Sequence, residues 1–275
     1  MPVRYRALMA TDLDGTLLGN TSTVSKENID AISEGTRSGI AIIAATARSP
    51  RSTSKISSIS GLGPIAVCAN GAVGWDLRTE SQIWHDTMDA EPLMDIIQKL
   101  RIEVPDIRFA REQLVSFLPE QDFFVREVAG LSFDRPVAQI DHSHVALGVT
   151  KLVMKSRSLD QKTLGAILAE INHYNFSITY GSVDWVELLP VGINKSVGLS
   201  RAAEHLGIPA DRVAAVGDHL NDIEMVSMAK VGAAVENAHE ELIRISDVVV
   251  PSNALHGVGR FITDICSGSV ELLDQ

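Results

Sequence analysis

The chain has few cysteines, few aromatic residues and a deficit of positive charge. Its 275 residues include 2 cysteines and 5% aromatic residues, and the net charge is −11. Two cysteines argue against a disulfide-stabilised scaffold, so we expect Cys68 and Cys266, in apolar surroundings, to be buried thiols. The negative charge argues against a general nucleic-acid protein that binds through phosphate attraction.

Long hydrophobic runs are also missing. No apolar stretch approaches the roughly 18 residues of a membrane span, and the first six residues lack the apolar stretch of a signal peptide. The sequence therefore predicts a cytoplasmic protein. A hydrophobic content of 45% is enough for a substantial core, and the length allows one large or two modest domains.

The first and last thirds of the chain alternate apolar runs with amphipathic segments. Continuous apolar runs are typical of strands buried on both faces of a parallel sheet. The strands predicted in this way are residues 8–11, 40–45, 65–69, 213–216, 231–235 and 248–250. The helices predicted between them are residues 25–38, a short one from 50, 195–206, 222–229 and 258–265. This alternation predicts an α/β fold with an open parallel sheet.

The middle of the chain has a different pattern, with several short strands and two helices. The predicted strands are residues 82–86, 107–110, 114–118, 145–147, 152–155, 176–180 and 185–189, and the helices are 91–100 and 159–173. Mostly antiparallel strands with few helices indicate an α+β domain. We therefore predict a core formed by residues 1–81 and 187–275 and an inserted domain formed by residues 82–186.

Two carboxylates two residues apart, Asp12 and Asp14, follow the first predicted strand. Such residues point to the same side, and Gly15 allows a sharp turn there. Carboxylates so close need a cation or a shared proton. Two other interpretations are an ordinary turn and a calcium loop, but Thr16 and Thr23 occupy the calcium loop's fifth and twelfth positions, which excludes the latter.

Three further segments carry polar groups where chemistry is expected. Thr46-Ala47-Arg48 follows a strand and could bind an anionic oxygen, although a helix cap is the simpler interpretation. Lys195 begins a helix, where a cation opposes the helix dipole; the alternative is a solvated surface lysine. Asp218, Asn221 and Asp222 follow another strand, and an Asx turn would also explain them.

These segments converge if the strands form one parallel sheet, because loops at the carboxyl ends of its strands meet in one crevice. Asp12, Asp14, Asp218 and Asp222 would then lie together. Four carboxylates require a cation, and all-oxygen ligation favours Mg²⁺ over Zn²⁺.

The motifs together resemble those of the haloacid dehalogenase-like (HAD) hydrolase superfamily, in particular the Cof-type sugar-phosphate phosphatases with a large cap. The matching segments are residues 12–17, 46–48, 70–72, Lys195 and residues 217–222, in the family's order. The family commonly has glycine where this chain has Ala47. The resemblance implies a Rossmann-like core with helices on both faces of the sheet and an inserted α+β cap that selects the leaving group.

The resemblance also implies roles for individual residues. Asp12 would attack phosphorus and form an aspartyl-phosphate, and Asp14 would act as general acid and base. Mg²⁺ would be bound by Asp12, the backbone carbonyl of Asp14, Asp218 and, directly or through water, Asp222. The residues expected to bind the substrate phosphate are Leu13 through its amide, Thr46, Ala47, Arg48, Lys195 and Asn221.

The predicted function is Mg²⁺-dependent hydrolysis of a small phosphorylated metabolite, a sugar phosphate in the Cof branch. The expected partner is that metabolite, with no nucleic acid or membrane, and the chain is a monomer or homodimer. A phosphomutase is the first alternative, since arginines that could bind a second phosphate occur in the insertion: Arg101, Arg108, Arg111, Arg126 and Arg135. The second alternative is a non-catalytic regulator that binds a phosphorylated metabolite.

Four residues in the insertion or at its return to the core carry weaker expectations. Trp185 and Glu187 could contact substrate or a hinge, but an ordinary strand with a packed tryptophan and a solvated glutamate is the simpler interpretation. His142 and His144 would share a strand face if their segment were extended. Two histidines alone do not make a metal site.

Overall fold

The computed structural model describes residues 5–19, 22–123, 134–180 and 185–272. The chain divides into two compact units: the first comprises Met1–Trp84 and Asn194–Gln275, and the second comprises His85–Ile193. The second unit is therefore an insertion that begins at 85, where 82 was expected, and ends at 193, where 186 was expected.

The regular elements follow the predicted alternation. The strands are β1 (Ala7–Thr11), β2 (Ile40–Ala45), β3 (Ile65–Cys68), β4 (Val73–Asp76), β5 (Ser81–His85), β6 (Arg108–Gln113), β7 (Ser116–Pro119), β8 (Lys151–Lys155), β9 (Ser177–Tyr180), β10 (Val186–Leu189), β11 (Val213–Gly217), β12 (Val231–Val235) and β13 (Val248–Val250). The helices are α1 (Lys26–Arg37), α2 (Pro50–Ser60), α3 (Ala90–Glu103), α4 (His142–Val145), α5 (Gln161–Ile171), α6 (Lys195–Leu206), α7 (Ile223–Met228), α8 (Glu240–Ile245) and α9 (Gly257–Cys266).

The first unit is built on an eight-stranded sheet in the order β13-β12-β11-β1-β2-β3-β4-β5. The strands from β13 to β3 are parallel to one another, and β4 returns antiparallel to β3. Parallel strands that are neighbours in the sheet but distant in sequence, such as β1 and β11, require crossover connections, which the helices supply. The carboxyl ends of β1, β2, β3 and β11 therefore lie along one edge of the sheet.

Helices cover both faces of this sheet. Leu8 of β1 and Ile43 of β2 belong to one apolar cluster with Leu199 of α6. The side chain of Ile42 points to the other face. There Gly35 of α1 packs closely against Ile42 and against Ile262 of α9, since a Cβ on Gly35 would lie 2.6 Å from the Ile42 side chain and 2.9 Å from that of Ile262. This two-sided burial is why the strands are continuous apolar runs, and the predicted α/β fold is confirmed.

The second unit contains a five-stranded antiparallel sheet in the order β7-β6-β8-β10-β9. One face packs against α3 and α5 through a core that includes Phe109, Met154 and Leu188. On the neighbouring positions of the strands lies a charged group: the Lys151 amine is 3.0 Å from Glu187 Oε1 and 3.6 Å from Glu112 Oε2. All three side chains are buried.

Glu187 corrects two expectations. It is only 3% exposed and pairs with Lys151, so the interpretation as a solvated glutamate is wrong. It also lies in β10, which pairs with both β8 and β9, and this pairing carries the second unit beyond its predicted end at 186.

The strand predicted at residues 145–147 is also wrong. His142–Val145 forms the short helix α4, because Asp141 caps it by accepting a hydrogen bond from the Ser143 amide at 2.9 Å. His142 and His144 therefore do not share a strand face, and His142 instead lies 2.8 Å from Glu91.

Two smaller findings complete the fold. Both cysteines are free thiols, but Cys68 is buried whereas Cys266 is only partly so. Among the described residues, no helix combines the length and the apolar character needed to cross a membrane.

Candidate active site

The predicted site residues lie at one edge of the first unit's sheet. Asp12 follows β1 directly, Thr46 follows β2, and Asp218 follows β11. The Asp12 amide donates to the Val216 carbonyl at 3.0 Å, which ties the end of β1 to the end of β11. Residues about 200 positions apart in the chain thus become neighbours because β1 and β11 pair in the sheet.

One group of acidic side chains in the described part of the chain has the geometry of a metal site. Carboxylate oxygens of Asp12, Asp218 and Asp222 all lie within 4.8 Å of one another. Asp12 is 5% exposed and Asp222 is fully buried. We call these three residues the carboxylate cluster. Buried like charges repel strongly, so the cluster is stable only with a compensating cation or bound protons.

Lys195 supplies part of that compensation. Its amine is 2.6 Å from Asp12 Oδ1 and 2.7 Å from Asp222 Oδ1, and the residue is 1% exposed. Asn194 caps α6 by accepting from the Val197 amide at 3.0 Å, which places Lys195 at the first position of the helix. The alternative of a solvated surface lysine is wrong. Burial lowers the pKa of Lys195, but Asp12 and Asp222 outweigh it and leave the pKa above its ordinary value.

Two members of the carboxylate cluster, Asp12 and Asp218, have raised pKa values. Burial, followed by repulsion from Asp222 and Asp218, raises the pKa of Asp12 well above its ordinary value, although Lys195 opposes this. Burial and Asp222 also raise the pKa of Asp218 to about 6. Because Lys195 supplies a single positive charge, three ionised carboxylates would still leave an excess of negative charge beside it. That excess and the all-oxygen donor set fit a hard divalent cation such as Mg²⁺.

Asp222 also shapes the loop that carries Asp218. Its Oδ2 accepts hydrogen bonds from the amides of Asp218 and His219, both at 3.0 Å, while its Oδ1 accepts from Lys195. Both oxygens therefore already have hydrogen-bond donors. This arrangement favours a supporting role over direct coordination of a metal.

Gly15 and Thr16 bring the segment after Asp12 against Asp218. Gly15 has φ of +86°, and a Cβ there would lie 2.2 Å from Asp218 Oδ2. Thr16 donates from its hydroxyl to Asp218 Oδ1 at 2.8 Å. Apart from its place within the motif at residues 12–17, Thr16 was not predicted to have a role. Only its partner, 202 positions away, reveals what its hydroxyl does.

Asp14 does not join the carboxylate cluster through its side chain. Arg48 holds it with two parallel hydrogen bonds, of which the one from Nε to Oδ2 is 2.6 Å, and it also donates to Ser52 at 3.1 Å. This bond with Asp14 raises the pKa of Arg48. The structure thus brings Asp14 together with Arg48, a pairing that the sequence did not indicate.

The remaining predicted residues surround the cluster's edge. Thr46 is buried, and its hydroxyl oxygen accepts from the Arg48 amide at 3.2 Å, which leaves the hydroxyl proton to donate. Ala47 lies between them at the same strand end. Leu13 is buried, with its carbonyl accepting from the Leu18 amide at 2.8 Å.

Asn221 contacts a turn that follows β3. Its side-chain amide donates to Asn70 Oδ1 at 3.2 Å. Ala69, Asn70 and Gly71 have φ values of 49°, 51° and 104°, so three consecutive residues are left-handed. We call this segment the left-handed turn. Such backbone strain is concentrated at functional sites, which makes Asn70 a further candidate, although its motif at residues 70–72 did not indicate a role for it.

Comparison with known proteins decides the family. The family model described as haloacid dehalogenase-like hydrolase matches residues 9–262, which includes every predicted site residue. The chain belongs to this family. The resemblance inferred from the sequence is therefore confirmed.

This haloacid dehalogenase-like hydrolase has phosphatases among its relatives. It is 28% identical to phosphatase YwpJ of Bacillus subtilis, with 93% of this chain and 98% of the relative covered. It is 25% identical to 5-amino-6-(5-phospho-D-ribitylamino)uracil phosphatase YitU of the same organism, with 94% and 97% covered. With the family, these relatives confirm the expectation of a phosphatase-type enzyme.

A third relative is longer than this hydrolase. The chloroplastic endoribonuclease YBEY of Arabidopsis thaliana is 26% identical, but the chain, 90% of which is covered, spans only 44% of that protein's length.

Solved structures share the fold. A haloacid dehalogenase-like hydrolase from B. subtilis matches with a TM-score of 0.81 and 26% identity, covering 94% of this chain and 99% of that one. The HAD subclass IIB sugar phosphatase BT4131 matches with a TM-score of 0.79 and 18% identity, covering 94% and 98%. At the latter identity, the likeness concerns the fold alone.

Proposed function

We propose that this hydrolase is a Mg²⁺-dependent phosphatase that cleaves a small phosphorylated metabolite, with a sugar phosphate as the substrate class. The observation that carries the proposal is the carboxylate cluster with Lys195 bonded to both Asp12 and Asp222. A nucleophilic carboxylate beside a fixed cation and a divalent-ion site is the arrangement that phosphoryl transfer requires, since its catalysis consists mainly of positioning and charge neutralisation.

Asp12 is the proposed nucleophile. One of its carboxylate oxygens attacks phosphorus, the bond from phosphorus to the substrate oxygen breaks, and an aspartyl-phosphate forms. Attack requires the ionised carboxylate, whereas burial raises the pKa of Asp12. Lys195, 2.6 Å away, favours the ionised form and orients the carboxylate. A water molecule then attacks phosphorus and releases Asp12 and phosphate.

Asp14 is the proposed general acid and base. Protonated, it gives its proton to the leaving alcohol oxygen, and ionised, it accepts a proton from the attacking water. In this structure its side chain is held by two hydrogen bonds from Arg48. An incoming phosphate competes for Arg48, and transfer of Arg48 to that phosphate would free the Asp14 side chain from this pair.

Asp12 and Asp218 are the proposed side-chain ligands of Mg²⁺, with the backbone carbonyl of Asp14 as a further ligand; Asp222, whose oxygens already accept hydrogen bonds, is proposed to act through water. The bound ion would supply positive charge for the transferring phosphoryl group and lower the pKa values of the carboxylates around it.

The other predicted residues are proposed to bind the substrate phosphate. Thr46 offers its hydroxyl proton, and Lys195 its charge, at the edge where Asp12 lies. The amide of Leu13, the segment of Ala47 and Arg48, and the side chain of Asn221 complete the proposed set. The inserted unit is proposed to select the leaving group.

The substrate class is supported by similarity. YitU, which is 25% identical, is named for a phosphorylated ribitylamino-uracil. That substrate is a small phosphorylated metabolite with a polyhydroxylated carbon chain.

The phosphomutase alternative requires arginines that can bind a second phosphate. Arg101 instead forms a hydrogen-bonded ion pair with the buried Glu120 and also donates to the Ile140 carbonyl at 3.1 Å. Arg111 donates to Gln113 at 2.9 Å and to Ser116. Arg126 lies outside the described residues. Two of the five arginines are thus already paired within the second unit, which weakens the phosphomutase alternative.

The test is phosphate release from a panel of sugar phosphates and a generic aryl phosphate, with Mg²⁺ or with a chelator. We expect Mg²⁺-dependent release from the native chain and none from Asp12→Asn. Asp30→Asn is the matched control, because it makes the same chemical change at an exposed carboxylate that pairs with Lys26 on α1. An isomerised sugar phosphate without free phosphate would support the mutase instead. Equal release by native chain and Asp12→Asn would contradict the proposal.

A further inference from the structure

The loop that follows Asp14 is held by side-chain amides from distant parts of the first unit. The Asn237 amide donates to the Gly15 carbonyl at 2.8 Å, and the Asn253 amide donates to the Leu18 carbonyl at 2.9 Å. Between these two, the Asn28 amide donates to the Leu17 carbonyl at 3.3 Å. Three asparagines, 11 to 235 positions away in the chain, thus bind carbonyls within residues 15–18.

Two of these asparagines are connected to each other. The Asn253 backbone amide donates to Asn237 Oδ1 at 2.8 Å. Asn237 follows β12 and Asn253 follows β13, so their positions are set by the last two strands of the sheet. A continuous path of hydrogen bonds therefore runs from the Gly15 carbonyl through Asn237 and Asn253 to the Leu18 carbonyl. We call this path the asparagine relay.

The relay acts on the peptide group between Gly15 and Thr16, one residue beyond the proposed acid and base Asp14. Because a peptide group is planar, fixing the Gly15 carbonyl also fixes the direction of the Thr16 amide. Thr16 in turn donates from its hydroxyl to Asp218 at 2.8 Å. Gly15 itself has φ of +86°. Because glycine adopts many backbone conformations readily, its own geometry does not fix this one, and contacts from neighbouring residues are needed to hold it.

We infer that Asn237, supported by Asn253, is a positioning residue. By holding the Gly15 carbonyl, it sets the orientation of Asp14 and of the Asp14 backbone carbonyl. The inference rests on the proposed function, in which Asp14 transfers the proton. A small displacement of a catalytic group lowers the reaction rate even though the group is still present, since proximity and orientation supply a large part of catalysis.

Asn28 and Asn237 differ in how far they are buried, and this difference separates a structural contact from a positioning one. Asn28 is 1% exposed, and its Oδ1 also accepts from the Gly259 amide at 2.8 Å, so its loss would leave buried polar groups unpaired and destabilise the fold. Asn237 is exposed, where water replaces a lost hydrogen bond at little cost. An effect of Asn237 on catalysis should therefore appear with little change in stability.

The experiment measures kcat and KM for an aryl phosphate together with hydrogen exchange of the amides in residues 14–18. For Asn237→Ala we expect kcat to fall about tenfold, with KM within about twofold and with faster exchange in this loop. Asn253→Ala removes the bond to the Leu18 carbonyl but retains the backbone amide that donates to Asn237, so it should lower kcat less than Asn237→Ala does.

The matched control is Asn172→Ala in the second unit. Asn172 also bridges backbone groups, since it donates to the Phe176 carbonyl at 2.7 Å and accepts from the Phe176 amide at 3.1 Å. It should leave kcat and exchange in residues 14–18 unchanged. Asn28→Ala should lower the melting temperature more than Asn237→Ala does.

The outcomes separate this inference from the function on which it rests. An active native enzyme whose kcat and loop exchange are unaffected by Asn237→Ala overturns the relay alone. A native chain with no phosphatase activity on any substrate overturns the proposed function and, with it, the catalytic part of the inference.

Discussion

Lys195 is the residue on which the balance of charge in the candidate site depends. It faces Asp12 at 2.6 Å and Asp222 at 2.7 Å with almost no access to water. Replacing it with methionine would retain most of the side-chain volume but leave two buried carboxylates without their cation. We expect Lys195→Met to lose activity and to reduce the free energy of unfolding by about 3–5 kcal/mol, measured by urea denaturation without metal.

Lys26→Met serves as the control for Lys195. Lys26 pairs with Asp30 at 2.5 Å, but both side chains are exposed, and such pairs contribute little to stability. If Lys26→Met and Lys195→Met destabilised the protein equally, the account of Lys195 as a buried counter-charge would be wrong. Adding Asp222→Asn to Lys195→Met should restore part of the lost stability.

Asp218 makes the stability of the metal-free protein depend on pH. Its pKa in the folded protein is about 6, above its ordinary value of 3.8, so the folded state binds the proton more tightly than the unfolded state. The stabilisation from this proton is complete below about pH 4 and is lost as the pH rises through 6. We therefore expect the contribution of Asp218 to lower the melting temperature across this interval.

The measurement is a melting curve at each pH for the native chain and Asp218→Asn, both with a chelator. The asparagine cannot titrate, so its curve should fall less between pH 4 and pH 7, although Asp12, whose pKa is also raised, still contributes. Parallel curves for the two proteins would exclude Asp218 as a source of the pH dependence.

At the scale of elements, the left-handed turn packs directly against the start of α6. A Cβ on Gly71 would lie 2.1 Å from the carbonyl oxygen of Asn194, the residue that caps α6 immediately before Lys195. Trp84 holds the same glycine from another direction, since its indole donates to the Gly71 carbonyl at 3.1 Å. The turn and the helix start are therefore in direct backbone contact.

We expect Gly71→Ala to displace the start of α6 and, with it, Lys195. Gly207→Ala at the other end of α6 is the control, because Gly207 also has positive φ but no atom within 4 Å of its Cβ position. Gly71→Ala should cost about 1–3 kcal/mol more than Gly207→Ala and should lower kcat. Equal effects on denaturation and activity would show that only backbone strain matters at Gly71.

The elements differ in how far the sequence predicted them. Helix α6 was predicted with its observed bounds, because apolar spacing and Gly207, its C-terminal cap, are local signals. The strand predicted at residues 145–147 is absent, and the short helix α4, strand β4 and helix α8 were not predicted. The amphipathic pattern of four to six residues is too short to distinguish helix from strand, and in α4 the cap at Asp141 decided the outcome.

At the scale of the molecule, the proposed metal site combines residues from the two chain segments that form the first unit. Asp12 lies near the start, whereas Asp218 and Asp222 lie beyond the insertion, and their oxygens are within 4.8 Å. A ligand that binds only the folded state stabilises it, by about 2.7 kcal/mol at a hundredfold excess over its Kd. We therefore expect Mg²⁺ to raise the melting temperature of the whole protein.

The comparison is between the melting temperature with Mg²⁺ and that with a chelator, which requires no activity. Asp218→Asn should remove most of the Mg²⁺-dependent increase, and Asp30→Asn should retain it. An increase of the same size in all three proteins would mean that Mg²⁺ acts elsewhere on the molecule.

The parallel core, its interruption by an α+β segment and most of the polar residues that lie at the candidate site could be predicted from the sequence alone. These features follow from local signals: apolar periodicity, caps, and motifs placed directly after buried strands. The family was also evident, because its motifs are short and occur in order.

The contacts among these residues could be seen in the tertiary structure but not in the sequence. The tertiary structure paired Asp14 with Arg48 rather than with the carboxylate cluster, buried Lys195 between Asp12 and Asp222, and gave Glu187 a lysine partner. It also formed the asparagine relay across more than 200 positions. Such contacts depend on strand order and on the loops that strands bring together, and a pattern along one chain does not record which distant side chains will share a few ångströms of space.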